Sequence, residues 1–556
     1  MDWHLAGRVL CLVGPNDSTK TAILDAIELV LLPRGYVALT DADFYKADVT
    51  NPITIEVTVG EVPTELLVEP EKFGLYLRGY ESDKNIHDDP ATGCESVLTV
   101  RFSMDKELDP IWTVFKLSQE SPKPIRWRDR ERLGLARLGV DADRHLSWGR
   151  GSALSKLTEE NTTAGQTFVE VARAAKQVVA NADLQQLADA ASKAKESAKD
   201  LGAEFGNLRP GLDISSLSLG GSVLGLHESD IPARLWGLGT RRLAALAIQQ
   251  RGVGQHSILV IDEIEHGLEP HRIRHLLRRL YRGLDGKERT VGQVILSTHS
   301  PTAIIELPIQ NLRFVRSNDG LTTITCVRAD CLDTLQSIAR SHSPAFLGRK
   351  LLVCEGATEI GVCRGLEEYW AKANTDRHPA HVGFVTIDGS GRTKAPGIAL
   401  ELKRIGYEVA VLADSDEPLD PGADHLNVEG IPVFQWQDNM STEERLTKDL
   451  PLPSIQAVLD AAYREFDSES MLGQVGHFCG IANLFTRGTN FSDWLTTDLT
   501  AEQARGALGK AAKKGGWFKN VSLGITLGEI VADALPTIPS SPTAVTIDSL
   551  MKWIYG

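Results

Sequence analysis

Residues 8–21 read Arg8-Val-Leu-Cys-Leu-Val-Gly14-Pro-Asn16-Asp-Ser18-Thr19-Lys20-Thr21, and this stretch decides the fold class. An apolar run of strand length ends in glycine, a polar loop follows, and a helical pattern opens near Lys20. Backbone N–H groups of such a loop, with the N-terminus of the helix behind it, form a cradle for phosphates. Gly14, Asn16, Ser18 and Thr19 belong to the loop, Lys20 supplies a point charge, and Thr21 supplies a hydroxyl for Mg²⁺. One position departs from the G-x-x-x-x-G-K-[ST] pattern: Thr19 stands where glycine is wanted. A side chain there crowds the phosphates and restricts the backbone, so slow turnover is expected.

Working outward, Ser257-Ile-Leu-Val-Ile-Asp262-Glu263 is an apolar strand that ends in two acids. In a nucleotide site the Asp holds Mg²⁺ and the Glu polarises the attacking water. Ile295-Leu-Ser-Thr-His299-Ser delivers a histidine at the end of another strand, the place of a switch residue. Trp236-Gly237-Leu-Gly239-Thr-Arg-Arg opens a helix about twenty residues before Asp262. Its Gly-rich turn can present N–H groups to the γ-phosphate held by a partner subunit. Leu217-Ser-Leu-Gly-Gly is closer to a signature by letters but lies too far upstream.

The second half carries a different chemistry. Lys350-Leu-Leu-Val-Cys-Glu355-Gly-Ala-Thr-Glu359 and Val409-Ala-Val-Leu-Ala-Asp414-Ser-Asp416 each run apolar and end in acids, about sixty residues apart. Buried parallel strands deliver carboxylates to a sheet edge in this way. Four acids converging there repel one another unless a divalent cation sits between them, which implies Mg²⁺ or Mn²⁺. Asp388 ends a further strand, and Glu443 and Glu444 are additional acids.

Four nucleotide motifs in this order resemble the ABC ATPase superfamily, in its RecF/SMC-like branch. The Glu355/Asp414/Asp416 pattern resembles a TOPRIM domain. Their order along the whole chain resembles the OLD (overcoming lysogenization defect) family of ATP-dependent nucleases, which includes Gabija-type antiphage nucleases. The resemblance implies an α/β fold: an ABC-type head in two parts (1–160 and 206–335), a helical insertion or dimerisation arm (161–205) and a TOPRIM domain (336–556). It implies ATP with Mg²⁺ at the head and Mg²⁺ or Mn²⁺ on Glu355, Glu359, Asp414 and Asp416. Glu263 and His299 would serve ATP hydrolysis, and a C-terminal lysine, Lys519 with Lys514 as runner-up, would support cleavage. DNA is the implied substrate, a homodimer or higher oligomer the implied assembly, and antiphage or mobile-element defence, with a partner protein or RNA/DNA element, the implied role. The alternative is a non-catalytic ABC-type repair or clamp scaffold with a vestigial TOPRIM domain. A primase-like or topoisomerase-like enzyme is a weaker rival, because no zinc-binding element or marked nucleophilic tyrosine is evident.

Composition sets bounds consistent with this. The 556 residues are too many for one core, and 24% charged with 42% hydrophobic content is ordinary for a globular protein. No apolar run is long enough to cross a bilayer and no signal-peptide layout appears, so a cytoplasmic enzyme without membrane contact is expected. A net charge of −15 argues against a nucleic-acid-coated surface but leaves room for a local basic groove. The seven cysteines include no C-x-x-C pair; buried thiols are expected. Residues 167–201, with Phe168, Val171, Ala174 and Val178 at heptad-like spacing, predict a long helix or helical hairpin. A linker is expected around 317–349. ABC-type heads usually place a strand before the phosphate-loop strand, and only about seven residues precede it here.

Overall fold

Strand–helix alternation in the second half gives four parallel strands: Lys350–Cys354, Phe384–Asp388, Glu408–Ala413 and Val433–Gln435. In a computed structural model they lie in the spatial order 384–388, 350–354, 408–413, 433–435, with Leu351 opposite both Val385 and Val409. The chain leaves the 350–354 strand toward one edge of the sheet and the 408–413 strand toward the other. The crevice beyond the C-terminal ends of these two neighbours is therefore a topological switch point, where open α/β sheets place their ligands. Both strands are apolar and buried, as parallel strands covered on both faces must be.

The structure describes residues 3–5, 7–33, 37–67, 72–81, 86–139, 143–147, 152, 154, 174, 226–252, 257–282, 292–318 and 320–556. The expected helical insertion at 161–205, with Phe168, Val171 and Val178, lies outside them. So does Leu217-Ser-Leu-Gly-Gly. The chain packs into two units, one of residues 1–5, 10–20 and 298–556, the other of 6–9 and 21–297.

In the second unit, Ile258–Ile261 pairs in parallel with Leu135–Leu138 and with Gln293–Thr298. An antiparallel flank accompanies them. Ile53–Val59 pairs with Glu95–Met104, whose other edge takes Pro110–Val114. In the first unit, residues 11–13 run parallel to 312–314, and the strand Leu312–Asn318 turns back into Leu321–Cys326.

The linker expected around 317–349 is instead ordered structure. Its turn residues join two strands through Gly320 (φ +79°), and helix Leu332–Ser341 follows. Gly and Asn letters mark a hairpin as readily as a domain boundary.

Glycines set the helix packing around the switch point. Helix Ala357–Ala373 crosses helix Val521–Ala534 with almost no side chain between them. A Cβ on Gly361 would lie 2.5 Å from Gly524 Cα, one on Gly365 2.3 Å from the Ile525 carbonyl, and one on Gly528 2.4 Å from the Val362 carbonyl. Helix Ala501–Gly515 meets helix Thr442–Asp449 in the same way, since a Cβ on Gly509 would sit 2.7 Å from Glu444 Cα. Trp370, Trp494, Trp517 and Phe518 are fully buried in the core between these helices. Helices 521–534 and 542–555 are apolar but sharply bent against one another, and among the described residues no single helix is long and apolar enough to cross a membrane.

Because two backbones touch at Gly365, Gly365→Val should force them apart. A loss of roughly 1–3 kcal/mol, or more, is expected, read as a lowered unfolding midpoint in thermal or denaturant melts. Gly473→Ala, at a helical position with open space, should leave the midpoint unchanged or raise it slightly.

Candidate active site: a carboxylate cluster and a nucleotide loop

Five structural elements converge on the switch point. Glu355 follows the 350–354 strand and Asp414 the 408–413 strand; the Asp414 N–H donates to Glu355 Oε2 at 3.1 Å. Glu359 sits in the first turn of helix 357–373, where its Oε2 accepts the Gly356 N–H at 2.9 Å and caps the helix. Helix 442–449 points its N-terminus at the same place. The Thr442 N–H donates to Asp414 Oδ1 at 2.8 Å, and Glu443 is buried beside it. Asp416 faces helix 501–515, whose Lys513 forms an ion pair with Asp416 and lies 4.0 Å from Glu444.

The Thr442 hydroxyl exposes the electrostatic problem of the cluster. It accepts the Trp436 indole N–H at 2.6 Å, and its single hydrogen faces both Glu359 Oε1 at 2.8 Å and Asp414 Oδ1 at 2.9 Å. One of those oxygens is left without a donor from this hydroxyl. Burial and neighbouring negative charge push Glu359 up to about 7 and Asp414 up to about 9, and burial also raises Glu355 and Glu443. Such a group keeps its proton above the usual carboxylate range unless a cation lies beside it. The donors are all carboxylate oxygens, which suits Mg²⁺ or Mn²⁺ better than softer metals. The Lys513 ammonium loses solvation there, but Asp416, Glu444 and Asp414 outweigh that loss and hold it charged.

The remaining acids and lysines sort by position. Asp388 ends the edge strand beside Cys354 but turns its Oδ1 to the Ser390 N–H at 2.8 Å. Glu444 caps helix 442–449 through the Ser441 N–H. Lys519, singled out from the sequence, is near enough to act on the charge of Glu443. Lys514 lies over the Phe478 ring at 5.7 Å. The lysine in contact with the acids is Lys513, which sequence reasoning passed over within the run Lys510-Ala-Ala-Lys513-Lys514. Gly509, one helical turn before it, is what lets its helix come close enough.

The Gly14–Lys20 loop closes on its own lysine. In the first unit Lys20 Nζ donates to the carbonyls of Gly14 (3.0 Å) and Pro15 (2.8 Å) and to Ser18 Oγ (3.1 Å). Asp17 and Thr19 both have left-handed backbones, with φ +61° and +66°. The glycine of the consensus is therefore replaced where glycine's freedom matters, since a β-branched residue at this φ is strained. A hydrogen bond between the Thr19 and Thr322 hydroxyls, 2.8 Å long, offsets part of that strain. Asn16 offers its carbonyl to Arg349. Gly14 leaves no room for a side chain, because a Cβ would lie 2.4 Å from the Val315 carbonyl and 3.2 Å from Arg316 Nη1. Arg316 in turn stacks 3.9 Å from the ring of Tyr407, the residue that precedes the Asp414 strand. His299 follows Thr298 and leads into helix Pro301–Glu306.

In the second unit, Thr21 Oγ1 donates to Asp262 Oδ1 at 3.3 Å, which brings together the hydroxyl and the acid singled out from the sequence. Ser297 Oγ donates to Asp262 Oδ1 (2.6 Å) and accepts the Glu263 N–H (2.8 Å). Arg137 approaches Asp262 Oδ2 at 3.4 Å while bound to Asp25 and Glu28. Arg242, buried on the helix that Gly237 opens, donates to the Asp262 and Glu263 carbonyls. Gly239 is needed for packing, because a Cβ there would meet the Gly267 carbonyl at 2.3 Å, whereas Gly237 faces open space. Arg137 and Ser297 went unread as site residues in the sequence, since their partners are distant along the chain.

Comparisons with known proteins agree with the broad reading. The chain is a homologue of an OLD nuclease from Thermus scotoductus, 25% identical over 473 residues that span 79% of this chain and 83% of that one. Residues 107–306 match a family model described as an AAA domain, putative AbiEii toxin of a type IV toxin–antitoxin system. That match includes Asp262 and Glu263 but starts after the phosphate loop. Among solved structures, the SMC head domain from Thermotoga maritima is 15% identical over 59% of this chain and 93% of its own, with a TM-score of 0.26. An ATPγS complex of the recombination mediator RecF is 12% identical over 58% and 93%, also with a TM-score of 0.26. Overlap this low carries no weight for geometry or function.

The raised carboxyls give a signed pH dependence. Their unfolded values lie near 4, so the folded state holds protons that the unfolded state releases. The stability this contributes is complete below about pH 4 and is lost as pH rises toward about 9. In chelator, the melting temperature should therefore fall from pH 6 to pH 9 more steeply for wild type than for Asp414→Asn. Mg²⁺ or Mn²⁺ should restore wild type increasingly at higher pH. Parallel slopes for the two proteins would contradict this picture of the cluster.

Proposed function

We propose, taking homology to an OLD nuclease as the premise, that this chain is a metal-dependent DNA endonuclease governed by an ATPase. The observation that carries the reading is the carboxylate cluster at the switch point, with Lys513 beside it. An uncompensated set of buried acids is costly to keep. A divalent cation together with a phosphodiester would turn that cost into a binding site.

Glu355, Asp414 and Asp416 would hold metal, with Glu359 and Glu443 completing a second position. When bound, such ions activate water and stabilise the charge that develops in phosphodiester hydrolysis. The chain's own groups do the rest. Thr442 fixes the orientation of Asp414 and Glu359 through its N–H and hydroxyl. Lys513 brings positive charge to the acid cluster, where it can offset charge developing on the phosphate. Lys519 acts at longer range through Glu443. Water, rather than a tyrosine, is the nucleophile in this reading.

In the nucleotide half, Gly14–Lys20 would cradle phosphates, and Thr21 and Asp262 would bind Mg²⁺. Glu263 would polarise water and His299 would sense the γ-phosphate. Gly237, at the start of its helix, would meet a nucleotide across a subunit boundary in a homodimer of heads. Arg316 is the candidate link between nucleotide and DNA chemistry. It touches the loop at Gly14 and the Tyr407 ring, and the strand that Tyr407 leads into ends at Asp414, roughly 20 Å away at about 3.3 Å per residue.

Plasmid nicking in Mg²⁺ and in Mn²⁺ tests the assignment. Asp414→Ala and Glu355→Ala should each lower cleavage at least ~100-fold while ATP binding persists. Lys513→Ala should cost more than Lys519→Ala. Full cleavage by both acid variants would remove the nuclease reading and favour a scaffold.

Nucleotide variants give a second check. Lys20→Ala should weaken ATP binding, and Thr19→Gly should raise turnover by relieving the left-handed strain. Arg316→Ala should leave ATP affinity within a few-fold of wild type but flatten the response of cleavage to ATP. An unchanged ATP response in that variant would exclude the Arg316–Tyr407 link.

A further inference from the structure

The antiparallel flank of the second unit gathers a carboxylate, an imidazole and a thiol that neither site above uses. Strand Arg78–Tyr80 is flanked on one side by Ile86–His87 and on the other by the start of Glu95–Met104. Gly79 lies opposite His87, and Tyr80 lies opposite Glu95. Extending this register by one residue sets Glu81 across from Cys94. The two-residue period then puts Glu81 on the same face as Gly79, and so on the face of His87. Three neighbouring strands thus aim three metal-binding residue types at one point.

The side chains meet there. Cys94 Sγ lies 3.8 Å from Glu81 Oε1 and His87 Nε2 lies 3.2 Å from Glu81 Oε2, and one ligand atom from each residue lies within 4.8 Å of the other two. A tetrahedral ion with ligands at about 2.0–2.3 Å holds them roughly 3.3–3.8 Å apart. Small side-chain rotations separate the present arrangement from that spacing. Gly79 keeps the face open, since a Cβ on it would lie 2.9 Å from the Asp89 carbonyl and 3.3 Å from Cys94 Cβ.

Adjacent carboxylates have partners of their own. Asp89 pairs with Lys116 at 2.5 Å, and Asp88 accepts the Leu117 and Ser118 N–H groups and faces Arg78 at 3.7 Å. A plain Glu81–His87 ion pair would account for two of the three groups. Both side chains are 46% exposed, however, and such a surface pair is worth little. It also leaves the thiol at this spot unexplained.

We propose that Glu81, His87 and Cys94 form a zinc site that ties together the ends of three flank strands, with a fourth position open to water. Thiolate and imidazole ligands select zinc over the hard cations suited to the oxygen-only cluster. The two sites therefore differ in metal preference and can be read independently. The ligands come from separate strands with no C-x-x-C pair, so they were not legible as a zinc element in the sequence.

Cobalt titration of the full-length, reduced and chelator-stripped protein tests this, because Co²⁺ bound to thiolate absorbs in the ultraviolet. Wild type should develop that band up to one equivalent per chain, and Zn²⁺ should displace it. Cys94→Ser should lose the band, His87→Ala should bind at least about tenfold more weakly, and Asp414→Ala should match wild type. Absence of the band in wild type, or its persistence in Cys94→Ser, overturns the proposal. Alkylation read by mass spectrometry keeps the test open if a variant fails to fold. In wild type, Zn²⁺ should slow modification of Cys94 but not of exposed Cys326, and equal rates with and without zinc overturn the assignment.

Discussion

Mutual repulsion among buried carboxylates is the constraint on which the C-terminal half depends. Glu355 and Asp414 are placed together by strand order alone, at the C-terminal ends of adjacent parallel strands whose connections diverge. Glu359 and Glu443 are then added from helix N-termini. A helix N-terminus favours negative charge, and the backbone N–H groups of Gly356 and Thr442 are spent on Glu359 and Asp414. These donors do not suffice, as the shared Thr442 hydrogen and the raised carboxyls show. The fold thus holds a site whose natural complement is a cation.

That cluster survives because the surrounding packing leaves its members little freedom. The contacts at Gly361, Gly365, Gly524 and Gly528 lock the helix that carries Glu359 against a neighbour with backbone on backbone. The close approach at Gly509 does the same for the helix that carries Lys513. Side-chain-free crossings of this kind fix helix position within narrow limits, since any Cβ would collide. Glycine is the residue that permits this close placement here.

The phosphate loop shows the opposite economy. Thr19 occupies a left-handed backbone where glycine would rest without strain, and its hydroxyl is tied to Thr322. Such a loop is held in shape by a specific contact rather than by backbone freedom. Arg316, lying against Gly14 and over Tyr407, gives the loop a physical neighbour on the path toward Asp414.

The sequence by itself determined the elements and the chemical classes. Apolar runs ending in acids placed Glu355, Asp414, Asp262 and Glu263 at strand ends, as the observed strands 350–354, 408–413 and 258–261 bear out. These signals are local, because burial on both faces of a strand writes itself into consecutive residues. Tertiary structure alone decided which side chains meet. Thr442 joins two acids, Lys513 rather than the singled-out Lys519 contacts Asp416, Arg137 approaches Asp262, and three flank strands bring Glu81, His87 and Cys94 together. Each of these pairings joins different elements, and helix crossings, strand register and glycine contacts set them, none of which leaves a periodic mark. The expected linker at 317–349 failed for the related reason that turn residues signal a reversal of the chain, not what lies on either side of it.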